Sequence, residues 1–394
     1  MITKRIILWG GWYGSKNVGD QALLLSITDL LGEMIEHAEF VVITDNPAQV
    51  LENTKRDSAH TFLPLHTRGQ FLGIVKAFTK ADMFIFGGGV PFYDDWLHSA
   101  AIAVLVTLSR MFRVPCVLWS VSSQRIRSSL TRLTLRYLLS AASVITYRDL
   151  HTGQLFRECG ANDKHMQLTP DSAFSLRLND KQQAREILER AGWSLEHSRP
   201  LVALTPRLLR GSDGEAHIHY QPQAVSDRHK EIDVFATILD WLWESGYQPI
   251  FVPMNTVMPD DDRVASQEIV SKAKYGKHAL LIDEQINPRD AANVYHFCEA
   301  AFVSRVHGAV TAFLGGCPIL MYAFDLKHGG IMEQMELSDY IFNPKSESPI
   351  DAVRMLDEIL QSRSRIIAQM EKKARGVNEQ VKVQKEAVFA LLKE

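Results

Sequence analysis

From Arg5 to Tyr322 the chain repeats one pattern: a short apolar run that stops at a glycine, a proline or a charged residue, then a segment with helical spacing. Arg5–Gly10, Phe40–Thr44, Met83–Phe86, Val117–Val121 and Val144–Tyr147 form one series of such runs. Leu201–Thr205, Gln248–Val252, Ala279–Ile282, Ala300–Val303 and Ile319–Tyr322 form a second. Between them, a stretch such as Ala22–Met34 sets Leu23, Ile27, Leu30, Leu31 and Met34 on one side of a helix. Strands buried on both faces that alternate with helices predict parallel sheets covered on both sides. The expected fold is α/β, with two Rossmann-like lobes over residues 1–178 and 179–348 and a helical C-terminal tail over 349–394. The polar helix Asp180–Ala191 belongs to the linker between the lobes. The tail carries apolar Val353, Leu356, Ile359 and Leu360 at helical spacing.

The 394 residues suffice for two domain cores. A formal net charge of −3 gives no general basic character and argues against a nucleic-acid partner. The opening residues turn polar too early for a signal peptide. No apolar run reaches the roughly 18–20 residues of a membrane span. The expected location is the cytoplasm, with membrane contact only of a peripheral kind at the inner face. The basic cluster Lys372, Lys373 and Arg375 reads as a solvated helix face. Cys116, Cys159, Cys298 and Cys317 lack metal or redox spacing and read as reduced, buried thiols. Residues 210–230 carry His217, His219 and His229 without a common ligand spacing; they read as a mobile loop, and no metal site is expected.

The informative residues stand where strands end. Ala300–Val303 stops at Ser304-Arg305-Val-His307-Gly308, and a helical pattern begins at once. The C-terminal edge of a parallel sheet is where ligands bind, and a helix start there offers free N–H groups and a positive dipole end. Lys327 follows the next apolar run. Arg305, His307 and Lys327 therefore predict a cationic pocket for a phosphorylated or carboxylated ligand, with an imidazole inside it. Arg148, after Val144–Tyr147, occupies the matching place in the first lobe, and Arg207, after Leu201–Thr205, is a fifth candidate. Asp149 suits the cap of the helix that follows Arg148.

Two glycine-rich turns mark the first lobe. Gly10-Gly11-Trp-Tyr-Gly14-Ser-Lys-Asn17-Val-Gly19-Asp20 opens the first helix, but its spacing fits neither a dinucleotide fingerprint nor a Walker A loop. Asn17 and Asp20 either cap that helix or bind a polar acceptor; a carboxylate accepts readily from sugar hydroxyls. Gly87-Gly88-Gly89, followed by Tyr93, Asp94 and Asp95, frees the backbone to line a cleft.

Taken in order, Gly-x-x-Gly-x-x-Asn-x-Gly-Asp, Gly-Gly-Gly, Arg-Asp and Ser304-Arg305-x-His307, then Gly-x-Pro and Asp325-x-Lys327-x-x-Gly, resemble the motifs of the polysaccharide pyruvyl transferases from Gly10 to about Leu337. The resemblance implies a two-lobed fold like that of the GT-B glycosyltransferases. It implies transfer of pyruvate from phosphoenolpyruvate to a sugar as a cyclic ketal, with phosphate released. The acceptor would be a hexose or N-acetylhexosamine unit, lipid-linked or nucleotide-linked. Arg148, Arg305, His307 and Lys327, with Arg207, would hold phosphoenolpyruvate; Asn17, Asp20, Gly88, Gly89 and Asp94 would face the acceptor. Trp12, Tyr147 and the apolar start of Val90–Asp95 depart from the family pattern on the acceptor side. No cofactor is expected beyond the donor substrate. In this scheme His307 protonates the methylene carbon of the enol ether, Arg305 anchors the donor and Asp20 orients the attacking hydroxyl. Two other readings stay open: a GT-B-type enzyme using a nucleotide sugar, with Glu333 near a ribose, and a non-catalytic sugar-binding protein. The acceptor identity and the oligomeric state are not legible in the sequence.

Overall fold

The computed structural model describes residues 4–35, 37–55, 61–67, 69–194, 199–207, 225–258, 260–324 and 326–393. His217, His219 and Asp325 lie outside the described residues. The chain forms two compact units: residues 1–15, 20–176 and 377–394 make the first, and residues 16–19 and 177–376 the second.

The first unit runs β1 (Lys4–Trp9), α1 (Val18–Gly32), β2 (Ala38–Thr44), α2 (Pro47–Lys55), β3 (Thr61–His66), α3 (Phe71–Phe78), β4 (Met83–Gly87), α4 (Trp96–Met111), β5 (Cys116–Val121), α5 (Ser129–Ala141), β6 (Ala142–Tyr147), α6 (Leu150–Glu158) and β7 (Met166–Leu168). Its seven strands are ordered β3-β2-β1-β4-β5-β6-β7, all parallel. Central strands such as Met83–Gly87 are buried throughout, which accounts for their unbroken apolar sequence. One core joins Ile7, Trp9, Phe84, Phe86 and Leu118 of the sheet to Ile102, Leu105 and Leu135 of α4 and α5.

The second unit runs α7 (Gln182–Arg190), β8 (Leu201–Thr205), α8 (Val225–Glu244), β9 (Gln248–Phe251), α9 (Asp262–Lys272), β10 (Leu280–Leu281), α10 (Pro288–His296), β11 (Cys298–Val303), α11 (Val306–Leu314), β12 (Ile319–Tyr322), α12 (Leu326–Gln334), β13 (Ile341–Phe342), α13 (Pro349–Gln361) and α14 (Arg363–Lys393). Six parallel strands take the order β10-β9-β8-β11-β12-β13, which repeats the first unit's order up to β6. Phe235 of α8 packs on Phe302 of β11 at 4.6 Å between centroids. Two Rossmann-like parallel sheets are thus present, as the alternation of runs predicts.

The differences from the sequence reading fall at sheet edges and helix ends. β3, β7 and β13 are not foreseen, and β10 is shorter than Ala279–Ile282. Each is an outer or near-outer strand with little apolar patterning; β3 even holds Pro64, which an edge strand tolerates because no ladder N–H is required of it there. Helix α8 begins at Val225, so its first turns occupy part of what the sequence suggests is loop.

Helix α14 belongs to both units in turn. Up to Gly376 it packs in the second; from Val377 it packs in the first. There Gln384 is buried and donates to Ser120 Oγ at 3.0 Å and Thr146 Oγ1 at 2.8 Å. Val381 and Val388 are buried beside it.

Candidate active site

In each sheet the strand order reverses direction between the first strand and its later neighbour, at β1/β4 and at β8/β11. Crevices at the carboxyl ends of such strand pairs are the ligand sites of open α/β sheets. Gly88 and Gly89 after β4, and Arg207 and Arg305 after β8 and β11, fall at these two places, while Arg148 and Lys327 follow the more outlying strands β6 and β12.

In the second unit, β8 ends in Pro206-Arg207 and β11 in Ser304-Arg305. Arg305 is buried, and its guanidinium is held by two aspartates at the start of α9. Nε donates to Asp262 Oδ1 at 3.1 Å, NH1 to Asp260 Oδ2 at 2.9 Å and NH2 to the Asp260 carbonyl at 3.0 Å, with a further NH2 bond to Asp262 Oδ1. Arg207 donates to the same Asp260 Oδ2 at 3.0 Å. Asp262 is fixed from its other side by the Met254 and Asn255 amides at 2.9 and 3.0 Å. Burial works against the charge of Arg305, yet Asp260 and Asp262 hold it cationic. Burial also opposes ionisation of Asp260, but Arg305 and Arg207 keep its carboxyl below the usual range. For Asp262 burial prevails and lifts the carboxyl to about 6, against the pull of Arg305.

The sequence reading places both arginines in a pocket of net positive charge. In the structure Asp260 and Asp262 balance both arginines. The overlooked signal is the run Asp260-Asp261-Asp262 just past the end of β9. Also overlooked is Glu231 of α8, fully buried near Ser304, Arg207 and Arg305. Burial pushes its carboxyl up to about 8, despite Ser304 and the arginines pulling the other way. At neutral pH it is mostly the uncharged acid.

His307 stands in the first turn of α11, half-buried. The segment 16–19 packs against it as part of the same unit. Asn17 bridges antiparallel to Asn255, and the Val18 amide donates to the Met254 carbonyl at 2.8 Å. Asn17 Oδ1 accepts from the Gly19 amide at 2.8 Å and so caps α1. Gly19 is where the imidazole sits: a Cβ there would stand 2.1 Å from His307 Nδ1. Lys327 lies in the first turn of α12, half-buried. Its neighbour His328 is buried and anchors that turn through Nε2 to the Ser304 carbonyl at 3.2 Å. The structure therefore brings Asn17, Arg207, Arg305, His307 and Lys327 into one unit.

In the first unit Gly88 and Gly89 follow β4 with φ of 81° and 72°. This left-handed backbone is costly for any residue with a Cβ. The buried Tyr13 hydroxyl donates to the Gly87 carbonyl, and burial, with Asp20 second, keeps that phenol from ionising. Asp20 is half-buried in the first turn of α1 and accepts a long bond from Ser15 Oγ, 3.3 Å. Asp94 is engaged differently: its carboxylate accepts from the Arg127 and Ser128 amides at 2.8 and 3.2 Å, ordering the entry to α5. Arg148 is buried and donates to Asp171. Asp149 caps α6 by accepting from the Thr152 amide at 2.8 Å, as its position suggests. Among the described residues no group of three or more His, Cys, Asp or Glu side chains has metal-holding geometry. All four cysteines are buried and free.

Comparison with known proteins adds the following. The profile of the family described as "Polysaccharide pyruvyl transferase" matches residues 17–325. Among solved structures, HepE of Anabaena in complex with UDP-glucose is similar at 15% identity and a TM-score of 0.61, with 100% of each chain covered. MnaA of S. aureus with UDP is similar at 11% identity and a TM-score of 0.57, covering 94% of this chain and 90% of that one. The E. coli ADP-heptose LPS heptosyltransferase II gives 11% identity and a TM-score of 0.52, covering 92% and 100%. At such identities the likeness is one of fold, and the fold is GT-B-like. No curated protein sequence matches the chain significantly.

Proposed function

The chain belongs to the polysaccharide pyruvyl transferase family, and we propose that it moves the pyruvyl unit of phosphoenolpyruvate onto a sugar of a polysaccharide or its precursor. The product is a cyclic ketal bridging two hydroxyls, and phosphate leaves. The observation that carries this reading is the placement of His307 and Lys327 beyond adjacent strand ends of one sheet, with Gly19 of the family motif packed on the imidazole.

Phosphoenolpyruvate presents a phosphate and a carboxylate on one carbon. Lys327 is a point charge suited to phosphate, and the α11 and α12 starts add dipole ends. Arg207 and Arg305 come to the anion if Asp260, the more exposed of their two aspartates, gives way; Asp262 keeps Arg305 in register throughout. His307 donates a proton to the methylene carbon, which makes the central carbon electrophilic. A sugar hydroxyl attacks that carbon and loses its proton to a carboxylate, for which Asp20, half-buried beside Ser15, is our candidate. Phosphate then leaves with the electron pair of its C–O bond, and the neighbouring hydroxyl attacks the same carbon, returning a proton to His307 and closing the ketal. The family resemblance implies a donor role for Arg148 as well, and an acceptor role for Asn17, Gly88 and Gly89. Asp94, with its carboxylate committed to two amides, serves the shape of that side.

A nucleotide-sugar enzyme is the second reading, prompted by the fold shared with structures that hold UDP or UDP-glucose. The deciding experiment measures phosphate release from phosphoenolpyruvate over a panel of glycosides, with wild type, His307→Gln and Lys327→Ala. Glycoside-dependent release that falls at least 100-fold in His307→Gln supports the proposal, since general acids contribute about 10²–10⁴. Absence of release, with thermal stabilisation by uridine diphosphate and not by phosphoenolpyruvate, would replace it by the second reading.

A further inference from the structure

Between Asp95 and Asp149 the sequence contains seven arginines and not one acidic residue, in a chain whose formal net charge is −3. Arg148 is buried on Asp171. The other six, at 110, 113, 125, 127, 132 and 136, are exposed or half-exposed around α4 and α5. The two helices lie side by side in one layer of the first unit. Ser99 Oγ donates to Thr131 Oγ1 at 3.3 Å near their N-termini, and Arg110 donates to Ser140 Oγ at 3.3 Å near their C-termini.

The outer face of this pair is apolar where a soluble layer is ordinarily polar. Trp96 is 67% exposed, Leu97 54%, Leu130 52% and Leu133 62%. On α4 the stripe continues at helical spacing through Val104 to Met111, both exposed. At its rim Arg125, Arg127, Arg132 and His151 line an open cleft of about 540 Å³; Glu158 also lines it, with its carboxylate taken by Arg132 at 3.2 Å. Exposed leucines and a tryptophan ringed by arginines are the surface chemistry of proteins that lie on anionic bilayers. The apolar side chains enter the acyl boundary, tryptophan sits at headgroup level, and each cation adds attraction to the surface potential.

We propose that the α4–α5 face docks this protein on a bilayer rich in anionic phospholipid, with a lipid phosphate in the Arg125–Arg127–Arg132 cleft. Charge favours this occupant over a second copy of the chain. A two-fold interface sets a patch against itself, and here that opposes arginine to arginine, while the acid lining the cleft, Glu158, is already paired with Arg132. None of the described helices is long and apolar enough to cross a membrane, so the contact is peripheral. The inference does not depend on the reaction proposed above.

The test is flotation of the full chain with vesicles of phosphatidylcholine alone and of phosphatidylcholine with about one-third phosphatidylglycerol, at 0.1 and 0.5 M salt. Binding to the anionic vesicles at least tenfold stronger than to the neutral ones, and lost at 0.5 M salt, is expected. Arg127→Ser with Arg136→Ser should weaken it about 25-fold, at about fivefold per arginine. Leu130→Ser with Leu133→Ser should abolish it with the unfolding midpoint unchanged. Where a double variant fails to fold, Arg136→Ser alone is read, with about fivefold weakening expected. No binding to anionic vesicles, or binding that all these variants retain, overturns the proposal. So does a concentration-dependent dimer in light scattering that the leucine variant abolishes, since the face would then belong to a second copy.

Discussion

Gly19 lies against His307 so closely that a methyl group on its Cα would stand 2.1 Å from the imidazole Nδ1. A residue of the Asn-x-Gly-Asp motif and the histidine of the Arg-x-His motif, far apart in sequence, therefore share one packing contact. The glycine is the space in which the imidazole sits.

Gly19→Ala should consequently act as a mutation of His307. The ring must leave its place, and kcat should drop as far as in His307→Gln, about 100-fold or more. Overpacking of this kind costs about 1–3 kcal/mol of stability, so the enzyme remains folded. Parallel kcat and thermal unfolding measurements on both variants check this; a Gly19→Ala enzyme with near-normal kcat would remove His307 from the chemistry or the contact from its support.

Arg305 is the residue the sequence marks most strongly, and the structure changes what its removal would report. Arg305→Ala leaves Asp262 buried without its cation, and breaking a buried pair from one side costs about 3–5 kcal/mol. The expected outcome is loss of folded protein, read as a lowered urea midpoint. Loss of activity in this variant would therefore say little about donor binding. Asp260→Asn is the informative change. It frees a charge on Arg207 and Arg305 and should tighten phosphoenolpyruvate binding at low salt, with a steeper salt dependence of KM than wild type.

Glu231 predicts a pH effect with a definite sign. Its folded-state carboxyl titrates at about 8, raised by burial from an ordinary value of 4.5. Between these values the unfolded chain has released a proton that the folded chain retains, so the stability this group contributes at low pH is lost as pH rises through 8, by at most about 1.4 kcal/mol per unit. Glu231→Gln keeps the shape of the neutral acid and cannot ionise. Its stability relative to wild type should grow steadily from pH 6 to pH 8. Parallel curves for the two proteins would show that Glu231 is ionised in the fold.

Gln384 should matter more than a tail residue ordinarily does. Its amide donates to Ser120 and Thr146 inside the first unit, so Gln384→Ala removes two buried hydrogen bonds at about 1–3 kcal/mol in all, although Ser120 keeps Thr169 and Thr146 keeps the Leu118 carbonyl. A lowered unfolding midpoint with unaltered KM for phosphoenolpyruvate is expected from calorimetry and steady-state kinetics.

The fold was legible because central parallel strands are buried on both faces and so write themselves as unbroken apolar runs. β3, with Pro64, and β13, only two residues long, are edges that carry no such signature. The site was legible in its strand-end residues for a related reason: β11 stops at Arg305 and β12 ahead of Lys327, where the backbone leaves the core. What the sequence does not display is pairing. Nothing in Arg305 or in Asp260-Asp261-Asp262 taken alone says that the two segments neutralise each other, because that depends on β9 and β11 lying two places apart in the sheet. The burial of Glu231 has the same origin: a glutamate at an ordinary helical position turns inward because α8 packs on the sheet, with Phe235 against Phe302 of β11 and Tyr322 of β12.

The passage of α14 from one unit to the other bears on how the protein is made. Residues 377–393 finish the core of the first unit, yet the ribosome delivers them after every residue of the second. The N-terminal sheet must wait, with the pocket around Ser120 and Thr146 unfilled, while some 200 further residues emerge. Domains ordinarily fold in the order of their synthesis; here the earlier one is completed last, and a nascent chain stalled before Val377 should remain open to protease in its N-terminal half while its later half is already resistant.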